Sequence, residues 1–422
     1  MLSIKQTNKN MKIPAVILTA GSEIVGISIA EALLKKNIPI ILISLGKKSI
    51  IWDIPQVITY YQISWPPKDA NNCVKDILNF FKKTNLYLTN IRFPIFPTDD
   101  SGLRFILENQ NAFQKIFHIP LKSNIKMCGL DKAEFFHFLN NTDSKSYLVN
   151  TLIINNFDSA FKAFKELGQD VVFKPALKPL SMNLKNMGSK VITAFNIQDN
   201  NLSILKRLKK SWNNSPIWIA QKRLRVNGKG ELSWVGIRTK NKKSFGLTVV
   251  ERCKYPRMGG SACWVQSIEN SEIDRQARHI LNDMDFCGIF EMSFLLNQNN
   301  QWEILEFNPR PWLQIGLAES SGLPLIFMAY CDMLNIDTNN ENISIKNNIN
   351  WVNPERLIIS ALSGEYGSKI RTFIKAMKII YKAEYVTVYK SQYRKIKYRW
   401  LINIIYKSLH LIRKLFYEKN TR

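Results

Sequence analysis

The stretch GIFEMSFLLNQNNQWEILEFN, Gly288 to Asn308, has little choice but to form two antiparallel strands. Ile289 to Leu296 is apolar and β-prone, NQNNQ is a turn by composition, and Trp302 to Phe307 alternates again. Side chains two apart on a strand share a face, so Glu306, Asn308 and Arg310 project to one side. Pro309 has no N–H to donate and stops the ladder just past Asn308. On the partner strand Glu291 and Ser293, also two apart, face the same space. Carboxylates and an amide oxygen are hard ligands that suit Mg²⁺, or Mn²⁺ in its place, carried with a nucleotide's phosphates. An arginine beside them suits a developing negative charge. Read alone, the E-x-N-x-R pattern fits a plain surface hairpin equally well.

A chain of 422 residues is long enough for two or three domains with real cores. Its net charge is +26, from 59 Lys+Arg against 33 Asp+Glu, which points to a polyanionic neighbour: nucleic acid, an anionic membrane surface or phosphorylated substrates. The charge is uneven. From Tyr366 to Arg422 there are 15 Lys/Arg against Glu384 and Glu418 alone, a net +13. The six cysteines (Cys73, Cys128, Cys253, Cys263, Cys287, Cys331) are scattered, with no C-x-x-C pair and no metal-like His spacing. They read as buried thiols of a reducing compartment, so a cytoplasmic protein is expected. The polar start MLSIKQTNKNMK is no signal peptide, and no run of about 20 residues is free of charge, so no spanning helix is expected.

Residues 13–45 read as strand, glycine-opened helix and second strand, the βαβ start of an open parallel sheet. Gly21 and Gly26 lack the G-x-G-x-x-G spacing, so this turn is read as structural. Residues 74–82 look helical, and NIRFPIFPTDDSGLRFILENQ reads as a strand, a turn and a helix opening on acids. Roughly residues 1–125 therefore form one α/β domain. In CGLDKAEFFHFLNN, Asp131 caps a helix whose first turn carries Lys132, against the helix dipole. After a helix at Ser159–Leu167, the strand DVVFKPALKPL carries Lys174 in an apolar run, where an amine needs a partner or a ligand. A basic loop with Gly188 and Lys190 follows, then the strand WIAQKRLRV (Trp218–Val226), with Glu231 shortly after. The loop VERCKYPRMGGSA holds Arg252, Arg257, Gly259 and Gly260, whose glycines let backbone N–H groups approach an anion. A helix from Ser271 to Met284 leads into the hairpin.

These pieces together resemble the ATP-grasp superfamily over about residues 12–335, in the family's order: Gly21, the PTDD step, Asp131-Lys132, Phe173-Lys174-Pro175, Ala220 to Leu224, YPRMGGS, and Glu306 to Arg310. More narrowly, Pro311-Trp312 and LAESSGLPL resemble proteins of the carboxylate–amine ligase type with an N-terminal pre-ATP-grasp domain. The resemblance implies a Rossmann-like pre-ATP-grasp α/β domain (1–125) and an α+β ATP-grasp domain (126–335). The latter splits into a lysine-bearing subdomain (126–217) and a metal-binding one (218–335). It implies ATP gripped between the subdomains, with Lys132 and Lys174 on its phosphates under the loop of Lys190. Gln221 to Leu224 would form the adenine hinge through the backbone of Lys222 and Leu224, with Glu231 a weaker candidate for the ribose. Glu306 and Asn308 would ligate Mg²⁺, and Arg310 would steady the transferred phosphoryl group. The implied reaction phosphorylates a small-molecule carboxylate to an acyl phosphate, which an amine attacks. Arg252, Arg257 and Gly260 would then meet the acceptor's carboxylate or phosphate. Two departures stand out. Ser293 occupies the usual first metal carboxylate, with Glu291 one step (about 7 Å) along the strand, and the loop near Gly188 is poor in glycine. They leave open a non-catalytic or weakly active ATP-binding protein of the same fold.

Beyond Tyr366 the resemblance lapses, and residues 336–422 are expected to be a linker and basic amphipathic helices. In YRWLINIIYKSLHLIRKLF (398–416), Arg399, Asn403, Lys407, His410 and Lys414 fall on one helical stripe. Leu401, Ile405, Leu409, Ile412 and Phe416 fall opposite. Such a helix lies on an anionic membrane at the inner face, or packs on protein; both readings stay open. Nothing here resembles a nucleic-acid reading motif, so that partner is not expected.

Overall fold

The computed structural model describes residues 12–54, 57–65, 70–84, 91–156, 158–168, 171–177, 192–193, 217–222, 231–257, 260–338 and 343–387. Lys190, Leu224 and the segment 398–416 lie outside them.

The N-terminal sheet is wholly parallel, built from β1 (Ala15–Thr19), β2 (Ile40–Leu45), β3 (Val57–Ile63), β4 (Phe93–Pro97) and β5 (Phe117–His118), in the order β3-β2-β1-β4-β5. Every residue of β1 and β2 is buried because apolar layers cover both faces, as expected for parallel strands with crossover helices. Val16 and Leu18 face one layer, with Ile77, Phe81 and Phe105 of the helices Ala70–Lys83 and Asp100–Glu108. Ala15 and Ile17 face the other, with Val25 and Ile29 of the helix Glu23–Lys35.

That second layer does not end at the domain. It runs on through Trp312, Leu317 and Ile326 to Val235, Leu247 and Ile289 of a large sheet, so one continuous core fastens the two units. The large sheet contains β10 (Leu232–Arg238), β11 (Ser244–Tyr255), β12 (Ser261–Ile268), β13 (Gly288–Leu296) and β14 (Trp302–Asn308). They follow a smaller sheet of β6 (Thr151–Ile154), β7 (Val171–Pro175), β8 (Ile192–Thr193) and β9 (Trp218–Lys222), ordered β6-β9-β7-β8 and antiparallel. The large sheet is ordered β14-β13-β10-β11-β12-β15-β16, closing with β15 (Asn350–Val352) and β16 (Tyr385–Val386).

Those last two strands correct one expectation. Residues 343–387 are not a linker: β15 pairs with β12, β16 pairs with β15, and the helices Pro354–Ser363 and Lys369–Lys382 pack beside them. Three-residue and two-residue strands carry too little alternation to be seen in sequence. No helix among the described residues is long and apolar enough to cross a membrane.

Candidate active site

The hairpin forms as its alternation requires. Phe290, Met292 and Phe294 of β13 enter the core under the large sheet, while Glu291 and Ser293 turn to the opposite face. Across the ladder Glu291 stands opposite Asn308, and Ser293 opposite Glu306. The pairing then slips, so Phe294 stands opposite Ile304 and Leu305 is the extra residue of a bulge. The bulge resets parity. Trp302, Ile304 and Phe307 all reach one core, yet Glu306 and Asn308 remain on the face of Glu291.

The lysines reach this face from the smaller unit. Asp131 caps the helix Lys132–Leu139 by accepting from the N–H groups of Ala133 (2.9 Å) and Glu134 (3.3 Å). The Lys132 N–H donates to the Ala176 carbonyl at 2.9 Å, which ties the helix start to the end of β7. Lys132 is buried, and its Nζ lies 3.2 Å from Glu306 Oε1. Lys174, on β7, shares the field of Glu306 and Glu231. Burial lowers its pKa most, and Lys132 and Lys254 push it the same way, while the two carboxylates oppose them.

Glu291 is a strongly perturbed carboxyl. Burial pushes it up to about 7, opposed by Arg310; Glu306 and Glu231 push it further up, and the hydrogen bond from Asn308 works against them. Asn308 Nδ2 donates to Glu291 Oε2 at 3.1 Å, which leaves the amide oxygen Oδ1 as the acceptor for a cation. Arg310 is held by Asp100, the first residue of the helix Asp100–Glu108 in the parallel-sheet domain, and its Nη1 donates to the Pro311 carbonyl at 3.0 Å. Burial works against the guanidinium's charge, but Asp100, Glu291 and Asp99 outweigh it and raise its pKa. Asp100, Arg104, Leu130, Lys132 and Leu177 line a cleft beside the site.

Glu231 is also engaged: its Oε2 accepts from Lys254 at 2.5 Å, and the same ammonium lies 2.5 Å from Glu251. Asp100, Glu251 and Lys254 are site residues that sequence reasoning missed. Lys254 sits inside the VERCKYPRMGG stretch already singled out, and Asp100 inside the PTDD step. Gln221 is buried on β9, with Nε2 donating to Thr151 Oγ1 (3.2 Å) while its Oε1 has no partner among the described residues. Lys222 is exposed, and its N–H is committed to the Asn150 carbonyl at 3.0 Å.

The residues expected at the acceptor are spoken for by protein. Arg252 donates Nε and Nη2 to Gln266 Oε1 (3.1 and 2.8 Å). Arg257 donates its N–H to Glu365 Oε2 (2.7 Å) and Nη1 to the Glu365 carbonyl (3.1 Å), with its guanidinium 5.2 Å from the Tyr366 ring centre. The reason given for Gly260 needs correction. Its N–H donates to the Pro256 carbonyl at 3.0 Å, and a Cβ there would lie 2.1 Å from that oxygen. The tightness of its own turn is enough to require a glycine here.

No protein-family model and no curated protein matches the sequence. Solved structures do. The N5-carboxyaminoimidazole synthetase of Staphylococcus aureus superposes with a TM-score of 0.59 at 14% identity, covering 84% of this chain and 86% of that one. The biotin carboxylase of Campylobacter jejuni, solved with an ATP analogue, gives 0.59 at 14% identity, over 81% and 75%. The carboxyaminoimidazole ribonucleotide synthase of Aspergillus clavatus, solved with ATP, gives 0.59 at 14%, over 81% and 82%. The chain shares the fold of these synthetases and this carboxylase. The donor set of this site fits nucleotide and divalent cation: two carboxylates, an amide oxygen, two lysines and one orphaned amide oxygen at Gln221. Among the described residues no group of three or more His, Cys, Asp or Glu is placed to hold a metal. On the same face the Ser293 hydroxyl lies 3.0 Å from that of Ser233.

Proposed function

We propose that this chain is an ATP- and Mg²⁺-dependent ligase joining a small-molecule carboxylate to an amine through an acyl phosphate. The observation that carries this reading is the Lys132–Glu306 pair at 3.2 Å, on the same face as Glu291, Asn308 and the half-buried Arg310. A cation between carboxylates and triphosphate, beside lysines that bind the other phosphate oxygens, is what phosphoryl transfer needs.

In this reading Lys132 and Lys174 hold the phosphates, with Lys190 joining them. Gln221 offers Oε1 to the adenine amino group, Lys222 and Leu224 supply hinge backbone, and Glu231 takes the ribose after exchanging its bond to Lys254. Glu306, the Asn308 oxygen and Glu291 would hold Mg²⁺ or Mn²⁺, which neutralises phosphate charge when bound. A carboxylate oxygen of the substrate attacks the γ-phosphorus and ADP leaves. The amine nitrogen then attacks the acyl carbon and phosphate leaves with the bonding pair. Arg310 faces the negative charge of both steps, and Arg252 and Arg257 meet the acceptor after exchanging their bonds to Gln266 and Glu365. The structural neighbours named above include an N5-carboxyaminoimidazole synthetase and a biotin carboxylase, which supports ligase chemistry without naming this chain's substrates.

The Ser293–Ser233 hydroxyl pair favours a second reading, an ATP-binding protein of little turnover, because one metal carboxylate is missing. Release of ADP across a panel of amino acids and small carboxylates separates the two. Stimulated, Mg²⁺-dependent release that disappears in Glu306→Ala supports the ligase. Tight ATP binding with no acceptor-stimulated release supports the second reading.

A further inference from the structure

The helix Lys369–Lys382 is two-sided. One side is packed: Thr372 Oγ1 donates to the Ala361 carbonyl at 2.8 Å, Ala376 is buried, and Ile379 and Ile380 lean on the cluster of Cys263, Val352 and Leu357. The opposite side is apolar and open to solvent. Ile370, Phe373, Ile374, Met377 and Tyr381 follow the i, i+3, i+4, i+7, i+11 pattern of a single stripe. Their exposures are 74, 37, 50, 45 and 87%. Along one flank run Arg371, Lys375, Lys378 and Lys382, at +4, +3 and +4, all exposed. The helix has five cations and no acid.

An apolar stripe of this size on a monomer marks a contact surface. Its charge decides which. A second copy of the chain would bring the same cations face to face. Covering the stripe with the chain's own segment 388–422, which carries ten Lys/Arg and a single Glu, would add to the same positive charge. A nucleic acid would match the charge but leave five apolar side chains in water. An anionic lipid surface satisfies both: the stripe sinks among the acyl chains while the flanking ammonium groups stay at the phosphates.

We propose that the stripe Ile370–Phe373–Ile374–Met377–Tyr381 with its flank of cations is a docking face for anionic membrane. This site is distinct from the 398–416 segment and independent of the ligase reading. The full-length chain is sedimented with phosphatidylcholine vesicles and with mixed phosphatidylcholine–phosphatidylglycerol vesicles. Binding is expected only to the mixed vesicles, weakening as salt rises, and about tenfold weaker in Ile370→Glu/Ile374→Glu, because partition scales with buried apolar area. An Arg371→Gln/Lys378→Gln variant is expected to bind less tightly and with a shallower salt dependence. A Met377→Cys chain reports the face through the labelling it gains over the wild type with its six free cysteines: that increment is expected to be quick with a maleimide in solution and slow once mixed vesicles are present. Equal binding to neutral vesicles overturns the proposal, as does unchanged binding by both double variants. Slow labelling before any vesicle is added overturns it in favour of the chain's own tail or a second copy. Protection by duplex DNA alone overturns it in favour of nucleic acid.

Discussion

Arg310 and Asp100 form an ion pair between residues 210 apart in sequence, one at the end of β14 and the other at the first turn of a helix in the parallel-sheet domain. Both side chains are largely out of solvent, so the pair is costly to break. Removing one partner of a buried pair typically costs about 3–5 kcal/mol. Glu291 also faces Arg310 and would hold part of the charge. Asp100→Asn is therefore expected to destabilise by about 2–3 kcal/mol, read as the midpoint shift in urea unfolding. It should also lower kcat more than it raises the ATP KM, because Arg310 loses its aim without the nucleotide losing a contact. An unchanged midpoint would mean the pair is solvent-screened.

Glu291 makes stability depend on pH in the sense opposite to an ion-paired carboxylate. Its folded pKa is about 7, raised from an ordinary 4.5 chiefly by burial. The folded form binds the proton more tightly, so this group's contribution is present below about pH 4.5 and is lost as pH rises through about 7. Glu291→Gln, measured without divalent cation, should therefore gain on the wild type as pH goes from 5 to 8. The gain is on the order of 3 kcal/mol at most. Thermal unfolding of both proteins across that window checks it. A difference that does not change with pH would place the titration elsewhere.

What sequence can reveal here divides by range. The β13–β14 hairpin, the capped helix behind Asp131 and the first βαβ unit are written in local periodicity, and all are present. The face shared by Glu291, Glu306 and Asn308 followed from alternation alone, although the bulge at Leu305, which keeps Glu306 on that face, did not. The partners were illegible. Asp100 meets Arg310, and Lys254 meets Glu231, only because β-sheet ladders and an interdomain core bring them together, and such pairings leave no repeat in the sequence. Gly260 shows the converse failure, where a glycine that matched an anion-loop pattern serves its own turn.

Gln221 gives a test of nucleotide choice. Its buried Oε1 lacks a partner while Nε2 bonds Thr151 at 3.2 Å. If that acceptor meets the base, it discriminates for an amino group and against a carbonyl. Gln221→Leu should weaken ATP binding by about tenfold, the value of one good hydrogen bond in a dry site, and should narrow the preference for ATP over GTP. Stability should fall by only about 1 kcal/mol, for the lost bond to Thr151. Titration with both nucleotides decides it, and an undiminished preference for ATP would remove Gln221 from the base pocket.

Lys132 and Glu306 should behave differently with and without nucleotide. In the free protein they neutralise each other at 3.2 Å. If the ammonium goes to phosphate and the carboxylate to the cation, binding splits this pair and replaces each partner. Lys132→Met should then cost about 1.5–3 kcal/mol of nucleotide affinity, as for a charge-assisted hydrogen bond. Glu306→Ala should leave Mg²⁺-free ADP binding near that of the wild type, or improve it by freeing Lys132, while abolishing the Mg²⁺ enhancement. Calorimetric titration of ADP with and without Mg²⁺ reads both. If Glu306→Ala lowers affinity equally under the two conditions, the carboxylate is positioning Lys132 rather than meeting a cation.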